Sequence, residues 1–187
     1  MENEYLDEIV NRLSEQFPDF DHSMIQAVTV LSSTYHILLS IIKRVISTHQ
    51  ITPQSMDVLM AIYVTKDQKC TLGEISGRLM VSPANVTGLV DGLLKKGLVR
   101  RREHPKDRRK RLTELTPKGL AVIEEFIPRC ALFMQTVFAS VSQEDKQQLY
   151  ERLKQIFQHV LPYREIGRMP KLSRVKNRLQ VSSRGKR

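Results

Sequence analysis

Tryptophan is absent from this 187-residue chain, aromatic residues make up only 6% of it, and cysteine occurs twice. The two thiols, Cys70 and Cys130, lack C-x-x-C spacing, which favours a reducing cytoplasm over a disulfide framework. A cleavable leader is not expected, because Met1-Glu2-Asn3-Glu4 is acidic and polar. Long apolar runs are also missing. The most apolar one, Ile37 to Ile46, is short and broken by Lys43-Arg44, so no membrane span is expected. The five histidines (22, 36, 49, 104 and 159) form no i, i+4 pair and no His/Cys cluster at zinc spacing. There is no Gly-rich phosphate loop, no G-x-S-x-G, and no pair of carboxylates in an apolar stretch. These gaps together predict a soluble cytoplasmic protein that is not an enzyme and carries no cofactor or metal.

Charge is what the chain has in excess, and it is concentrated. The net charge is +10. Residues 95–111 hold ten basic side chains against Glu103 and Asp107, and residues 163–187 hold nine against Glu165, so each segment is +8. The remainder is therefore acidic, at −6. A solvated hairpin needs charge for solubility but not one sign at this density. Neutralising phosphates does.

The stretch Thr71–Pro117 organises the rest. Thr71 and Glu74 have capping-box spacing ahead of Leu72, Ile75 and Leu79, which share one face of a short helix. Met80-Val81 makes a turn, and Ser82-Pro83 starts a second helix as a cap followed by a proline. Val86, Leu89, Val90, Leu93 and Leu94 form its buried stripe, so Ala84, Asn85, Thr87, Gly88, Asp91, Gly92 and Lys95 face away. Gly97 stops this helix in the left-handed region. From Leu98 the pattern changes to short strands around His104-Pro105-Lys106-Asp107, returning through Leu112 and Leu115. Helix, turn, helix and basic hairpin make a winged helix-turn-helix. A helix fronted by small polar residues can enter a major groove and hydrogen-bond base edges or phosphates. The candidate DNA contacts are Ser82, Pro83, Ala84, Asn85, Thr87, Gly88, Lys95, Arg101, Lys106, Asp107, Arg108 and Arg109.

The flanks read as helices. Residues 2–16 carry Leu6, Ile9, Val10 and Leu13 at helical spacing, ended by Phe17-Pro18-Asp19. A long stripe from Ile25 to Ile46 follows, on a helix reaching to about His49, and Thr52-Pro53 caps a helix that is apolar nearly all round. Thr116-Pro117 opens a helix in which Pro128 should make a kink and Cys130 should be inert core. The last helix begins at Ser142 and should close at Leu161-Pro162. The fold class is thus mainly α with a small β-hairpin wing, a winged helix-turn-helix flanked by N- and C-terminal dimerisation helices. The predicted divisions are dimerisation helices in 1–50, the DNA reader in 51–116, further dimerisation helices in 117–162 and a basic, disordered tail in 163–187. Terminal stripes of this length are commonly buried against a second copy through a two-fold interface, which would set two readers about 34–36 Å apart on one face of a duplex.

The order of elements and the motif wording resemble the multiple-antibiotic-resistance regulator (MarR) family of bacterial and archaeal transcription factors. The similarity covers roughly residues 25–160. It rests on Val81-Ser82-Pro83, Val86-Thr87, Leu89-Val90-Asp91, Lys96-Gly97-Leu98-Val99, Asp107-Arg108-Arg109 and Leu115-Thr116-Pro117-Lys118-Gly119. The resemblance implies a homodimer that binds a pseudo-palindromic operator, usually as a repressor. It also implies release by a small molecule bound between the dimer and DNA-binding regions, or by oxidation of a cysteine. Tyr35 and His36 lie where family members bind effectors. Asp107 and Arg109 match the family's wing-tip Asp-x-Arg, whose arginine enters the minor groove. Ser82, Ala84, Asn85 and Thr87 match the exposed front of its recognition helix. Gly88 and Gly92 depart from it, standing where many members carry Arg. Neither cysteine matches the family's N-terminal sensor thiol, and Cys70 could sense oxidants only if exposed with a depressed pKa. The tail reads either as an arm that tracks phosphates or as a solvated end without a dedicated partner. A second reading of the whole is an architectural DNA-binding protein without operator choice.

Overall fold

The computed structural model describes residues 2–104 and 107–166; the side chains of residues 2–3, 104, 107–110 and 164–166 fall outside that description. Seven α-helices and three strands are present among them: α1 (Glu2–Gln16), α2 (His22–Ile46), α3 (Pro53–Tyr63), β1 (Lys69–Thr71), α4 (Leu72–Leu79), α5 (Pro83–Lys95), β2 (Val99–His104), β3 (Asp107–Leu115), α6 (Pro117–Val137) and α7 (Gln143–Ile166). One 3₁₀ turn, Ser47–His49, finishes the second helix, where a continuous α-helix to His49 was expected. The chain divides into two compact units: Val30–Thr136, and the residues up to Thr29 together with those from Val137.

The first unit is built around one cluster. Ile46, Met56, Val58, Leu59, Ile62, Cys70, Ile75, Val86, Val90, Leu93, Leu98, Val99, Val122 and Ile123 are all buried in it. Each helix of the reader brings its own start signal. Thr52 Oγ1 accepts from the Ser55 N–H at 3.1 Å to cap α3. Thr71 and Glu74 complete the expected capping box on α4: Glu74 Oε2 accepts from the Thr71 N–H at 2.7 Å and Thr71 Oγ1 from the Glu74 N–H at 3.2 Å. The sheet has the order β1-β3-β2 and is antiparallel throughout, with Cys70 opposite Thr113 and Val99 opposite Leu115. The wing therefore has a third strand, where the sequence predicts a two-stranded hairpin.

In the other unit Val10 and Ile25 are buried, Phe17 stacks on Phe20 with centroids 5.5 Å apart, and Ser14 Oγ lies 2.6 Å from His22 Nδ1. Helix α7 runs on through Pro162 to Ile166, so the expected stop at Leu161-Pro162 is corrected. A proline deletes one backbone bond and does not by itself end a helix whose next residues bond past it. Likewise α6 is one helix through Pro128.

Large apolar side chains remain on the surface of the long helices. On α2 these include Met24, Val28, Leu31, Tyr35 and Ile37, and on α7 Leu149, Tyr150, Leu153, Ile156, Phe157 and Val160. The segment His22–His49 is by length and composition long and apolar enough to cross a bilayer, although its most apolar run read in sequence is short. Cys130 is half-buried on α6, not core as expected, because the buried face of that helix is confined to Gly119, Val122 and Ile123 in its first turns.

Candidate nucleic-acid interface

The turn between α4 and α5 fixes how the second helix is presented. Met80 adopts the left-handed conformation at φ 57°, and the buried Ser76 donates from Oγ to the Val81 carbonyl at 2.6 Å while its own carbonyl accepts the Val81 N–H at 3.3 Å. Ser82 then caps α5, accepting the Asn85 N–H at 3.3 Å, and Pro83 occupies the first turn. One face of the helix is sealed, with Val86 and Val90 at 0% and Leu93 at 1% exposure. On the opposite face Ser82, Pro83, Ala84, Asn85, Gly88, Gly92 and Lys95 are exposed, and Thr87 is half-buried with its hydroxyl donating to the Pro83 carbonyl at 2.9 Å.

The far end of α5 is tied to the next elements. Gly97 is left-handed at φ 69°, the Leu98 N–H donates to Leu93 O at 3.0 Å and the Gly97 N–H to Leu94 O at 2.9 Å, a Schellman pairing. Thr116 Oγ1 donates to Gly97 O at 2.7 Å, and Lys118 Nζ to Lys96 O at 3.0 Å. Gly119 at the start of α6 sits so close to Leu98 that a Cβ there would lie 2.0 Å from the Leu98 carbonyl oxygen. The first turn of α6 and the Gly97-Leu98 turn that follows α5 are thus in direct backbone contact.

Among the described residues two ion-pair groups hold the wing. Arg101 Nη2 donates to Asp91 Oδ1 at 2.7 Å, joining β2 to α5. Glu114 on β3 is 4% exposed and accepts from both Arg100 and Arg102, the latter at 2.8 Å. Burial raises its pKa, but the two guanidinium hydrogen bonds and charges outweigh that, and its carboxyl lies below the usual range. Neither Asp91 nor Glu114 is singled out as an ion-pair partner by sequence. Asp91 reads as one more outward residue, and Glu114 becomes visible only through the cross-strand register that sets it opposite Arg100.

Of the other expected contacts, Arg101 is exposed on β2, and Asp107, Arg108 and Arg109 belong to strand β3. The side chains of those three, together with Lys106, lie outside the described residues. Tyr35 and His36 are both exposed on α2, their rings 5.9 Å apart and tilted by 58°. Cys70 is 1% exposed. Its Sγ lies 3.7 Å from Ala61 O, and burial pushes its thiol above the ordinary range, which opposes a redox role. A polar cleft of about 550 Å³ opens beside it, lined in part by Lys66, Lys69, Arg78 and Arg102. Among the described residues no group of three or more His, Cys, Asp or Glu is placed to hold a metal ion.

The sequence profile of the MarR family matches residues 49–110. The HTH-type transcriptional repressor YetL of Bacillus subtilis (strain 168) is 33% identical over 108 residues, which are 58% of this chain and 65% of that protein, just under two thirds of its length. An HTH-type transcriptional regulator of the same organism, YkoM, is 33% identical over 106 residues, 57% of this chain and 68% of that one. Among solved structures, Bordetella bronchiseptica BpsR, whose DNA binding is regulated by 6-hydroxynicotinic acid, is similar with a TM-score of 0.59 and 25% identity over 70% of this chain and 98% of its own.

Proposed function

Because the chain belongs to the MarR family of transcriptional regulators, we propose that it is a sequence-specific repressor that binds a pseudo-palindromic operator as a homodimer. The observation that carries this reading is the two-faced α5: Val86, Val90 and Leu93 are sealed in the core while Ser82, Ala84, Asn85 and Gly88 stand in solvent beside a wing rich in arginine. Nothing in the packing of the reader requires that outer face to be small and polar. A helix face of small polar side chains is one that can enter a major groove. The contacts are Ser82, Pro83, Ala84, Asn85, Thr87, Gly88 and Lys95 on α5, and Arg101, Lys106, Asp107, Arg108 and Arg109 on the wing, whose arginines meet phosphates or a narrow minor groove.

The homodimer is supported by the apolar side chains exposed on α2 and α7, which one chain leaves in water and a second copy would cover. The same exposed face accounts for the bilayer-like composition of His22–His49 without a membrane. Release by a small ligand is supported by the regulation of BpsR by 6-hydroxynicotinic acid; on this chain Tyr35 and His36, an exposed aromatic pair, are the proposed contacts.

Selection of genomic fragments on the purified protein tests the reading. The enriched fragment should bind on the order of 10³-fold or more tightly than random duplex. Near-equal binding would favour an architectural protein that coats DNA.

A further inference from the structure

We infer that Asn85 is the side chain through which α5 reads base identity, and that the base it reads is an adenine in the major groove. The inference rests on the regulator reading above and adds the recognised base and the residue that chooses it.

Along the outer face of α5, Pro83 and Ala84 carry no polar side-chain atoms, and Gly88 and Gly92 carry no side chain. Ser82 Oγ is committed as an acceptor to the Asn85 N–H at 3.3 Å, and Thr87 spends its hydroxyl proton on the Pro83 carbonyl at 2.9 Å. Asp91 is held by Arg101 at 2.7 Å. Ser82 Oγ keeps its proton and one lone pair, but on a single atom; among the described residues the exposed Asn85 side chain has no hydrogen-bond partner, and in the first two turns it alone sets a donor and an acceptor side by side on two atoms for an incoming base. A carboxamide sets its N–H₂ beside its C=O. Adenine sets N7 beside N6–H₂ in the major groove and matches that pair bidentately, whereas guanine presents two acceptors there.

The glycines supply an independent, steric observation. A Cβ built at Gly88 or at Gly92 meets nothing within 4 Å, so the protein's own packing does not require glycine at either place. Each costs the helix about 1 kcal/mol relative to alanine. They stand three and seven residues after Asn85, on its own side of the helix. A face this bare lets the backbone sit deep in the groove, and a reader with a side chain as short as asparagine needs that approach. The short side chain and the empty positions beside it point to the same close fit.

Selection from random duplexes with the full chain, as wild type and as Asn85→Ala, tests the inference. The alanine variant keeps the backbone N–H that Ser82 accepts, so its fold is retained. Wild type is expected to enrich a symmetric motif with an adenine at one pair of equivalent positions. Asn85→Ala should bind the same motif with discrimination at those positions alone reduced from about 5- to 150-fold to near unity. Replacing that adenine by 7-deazaadenine, which removes the N7 acceptor, should weaken wild type about tenfold and leave Asn85→Ala unchanged. A variant that keeps the full preference of wild type at every position would overturn the inference. So would a wild type indifferent to 7-deazaadenine at every selected adenine. A wild type that selects no motif at all would overturn the regulator reading, and this inference with it.

Discussion

Asp91 on α5 and Arg101 on β2 are joined at 2.7 Å, with 47% and 37% of their side chains exposed, so the helix proposed to enter the groove and the strand leading to the wing share one charge pair. Such a pair contributes only about 0.2–1 kcal/mol to stability in water. Its importance on a DNA-binding face is different, because an unpaired Asp91 would stand against phosphates. Arg101→Ala is expected to lower operator affinity on the order of tenfold. Adding Asp91→Ala to it should recover the part of that loss owed to the uncovered carboxylate, leaving the part owed to the lost phosphate contact of Arg101 itself. A double-mutant cycle on binding reads the coupling directly, and additive losses would mean that the pair is idle on DNA.

The glycines of the reader divide by what surrounds them. Gly119→Ala drives a Cβ to 2.0 Å from the Leu98 carbonyl oxygen, a backbone atom that cannot swing aside. The expected cost is about 1–3 kcal/mol, or about 2–4 °C of Tm for each kcal/mol. Gly88→Ala and Gly92→Ala meet open space and should instead stabilise the protein by up to about 1 kcal/mol each. Thermal unfolding of the three variants should therefore move in opposite directions, while the two on the outer face of α5, Gly88→Ala and Gly92→Ala, should lose operator binding.

Glu114 makes stability depend on acid. Its folded-state pKa is depressed, so its contribution is fully present above the unfolded carboxylate value and is lost as pH falls through the lower folded value. Denaturant unfolding of Glu114→Gln at neutral pH should show a loss of about 1–3 kcal/mol. Below pH of about 4.5 the difference from wild type should shrink, since protonation removes the same charge. A gap of constant size down to pH 2 would mean that the two arginines do not set the pKa.

The two thiols should separate cleanly on labelling. Cys70 is buried at 1% exposure and its thiol is pushed up by burial, whereas Cys130 is half-buried and raised by burial alone. A thiol-specific reagent on the native protein should label Cys130 first and leave Cys70 intact until denaturant is added. Mass spectrometry after timed labelling decides the order. Rapid native labelling of Cys70 would reopen a sensory role for it.

Local chemistry made much of the reader legible in the sequence. The Thr71/Glu74 capping box, the Ser82-Pro83 start and the Gly97 stop are each written in residues within four positions of one another, and all three stand in the structure. What depends on distant partners was not legible. Strand β1 is three residues long, too short for an alternating pattern to declare it, and it exists because β3 pairs with it. Glu114 reads as one polar residue among many until the register sets it opposite Arg100. Cys130 lies in an apolar stripe that promises a core, yet among the described residues the second half of α6 is only partly covered. The face of a helix is a local property, but what covers it is not.

The outward face of α5 is the proposition on which the rest depends, and a tethered cleavage reagent reads its position on DNA. Ala84→Cys in a Cys130→Ser background, conjugated to an iron–EDTA group, leaves Cys70 unmodified in the core and generates hydroxyl radicals within a few ångströms of the helix start. On the selected operator the expected result is strand cleavage centred on the major groove of each half-site. Uncut DNA under conditions where the conjugate is fully bound, or cuts confined to flanks outside both half-sites, would contradict it.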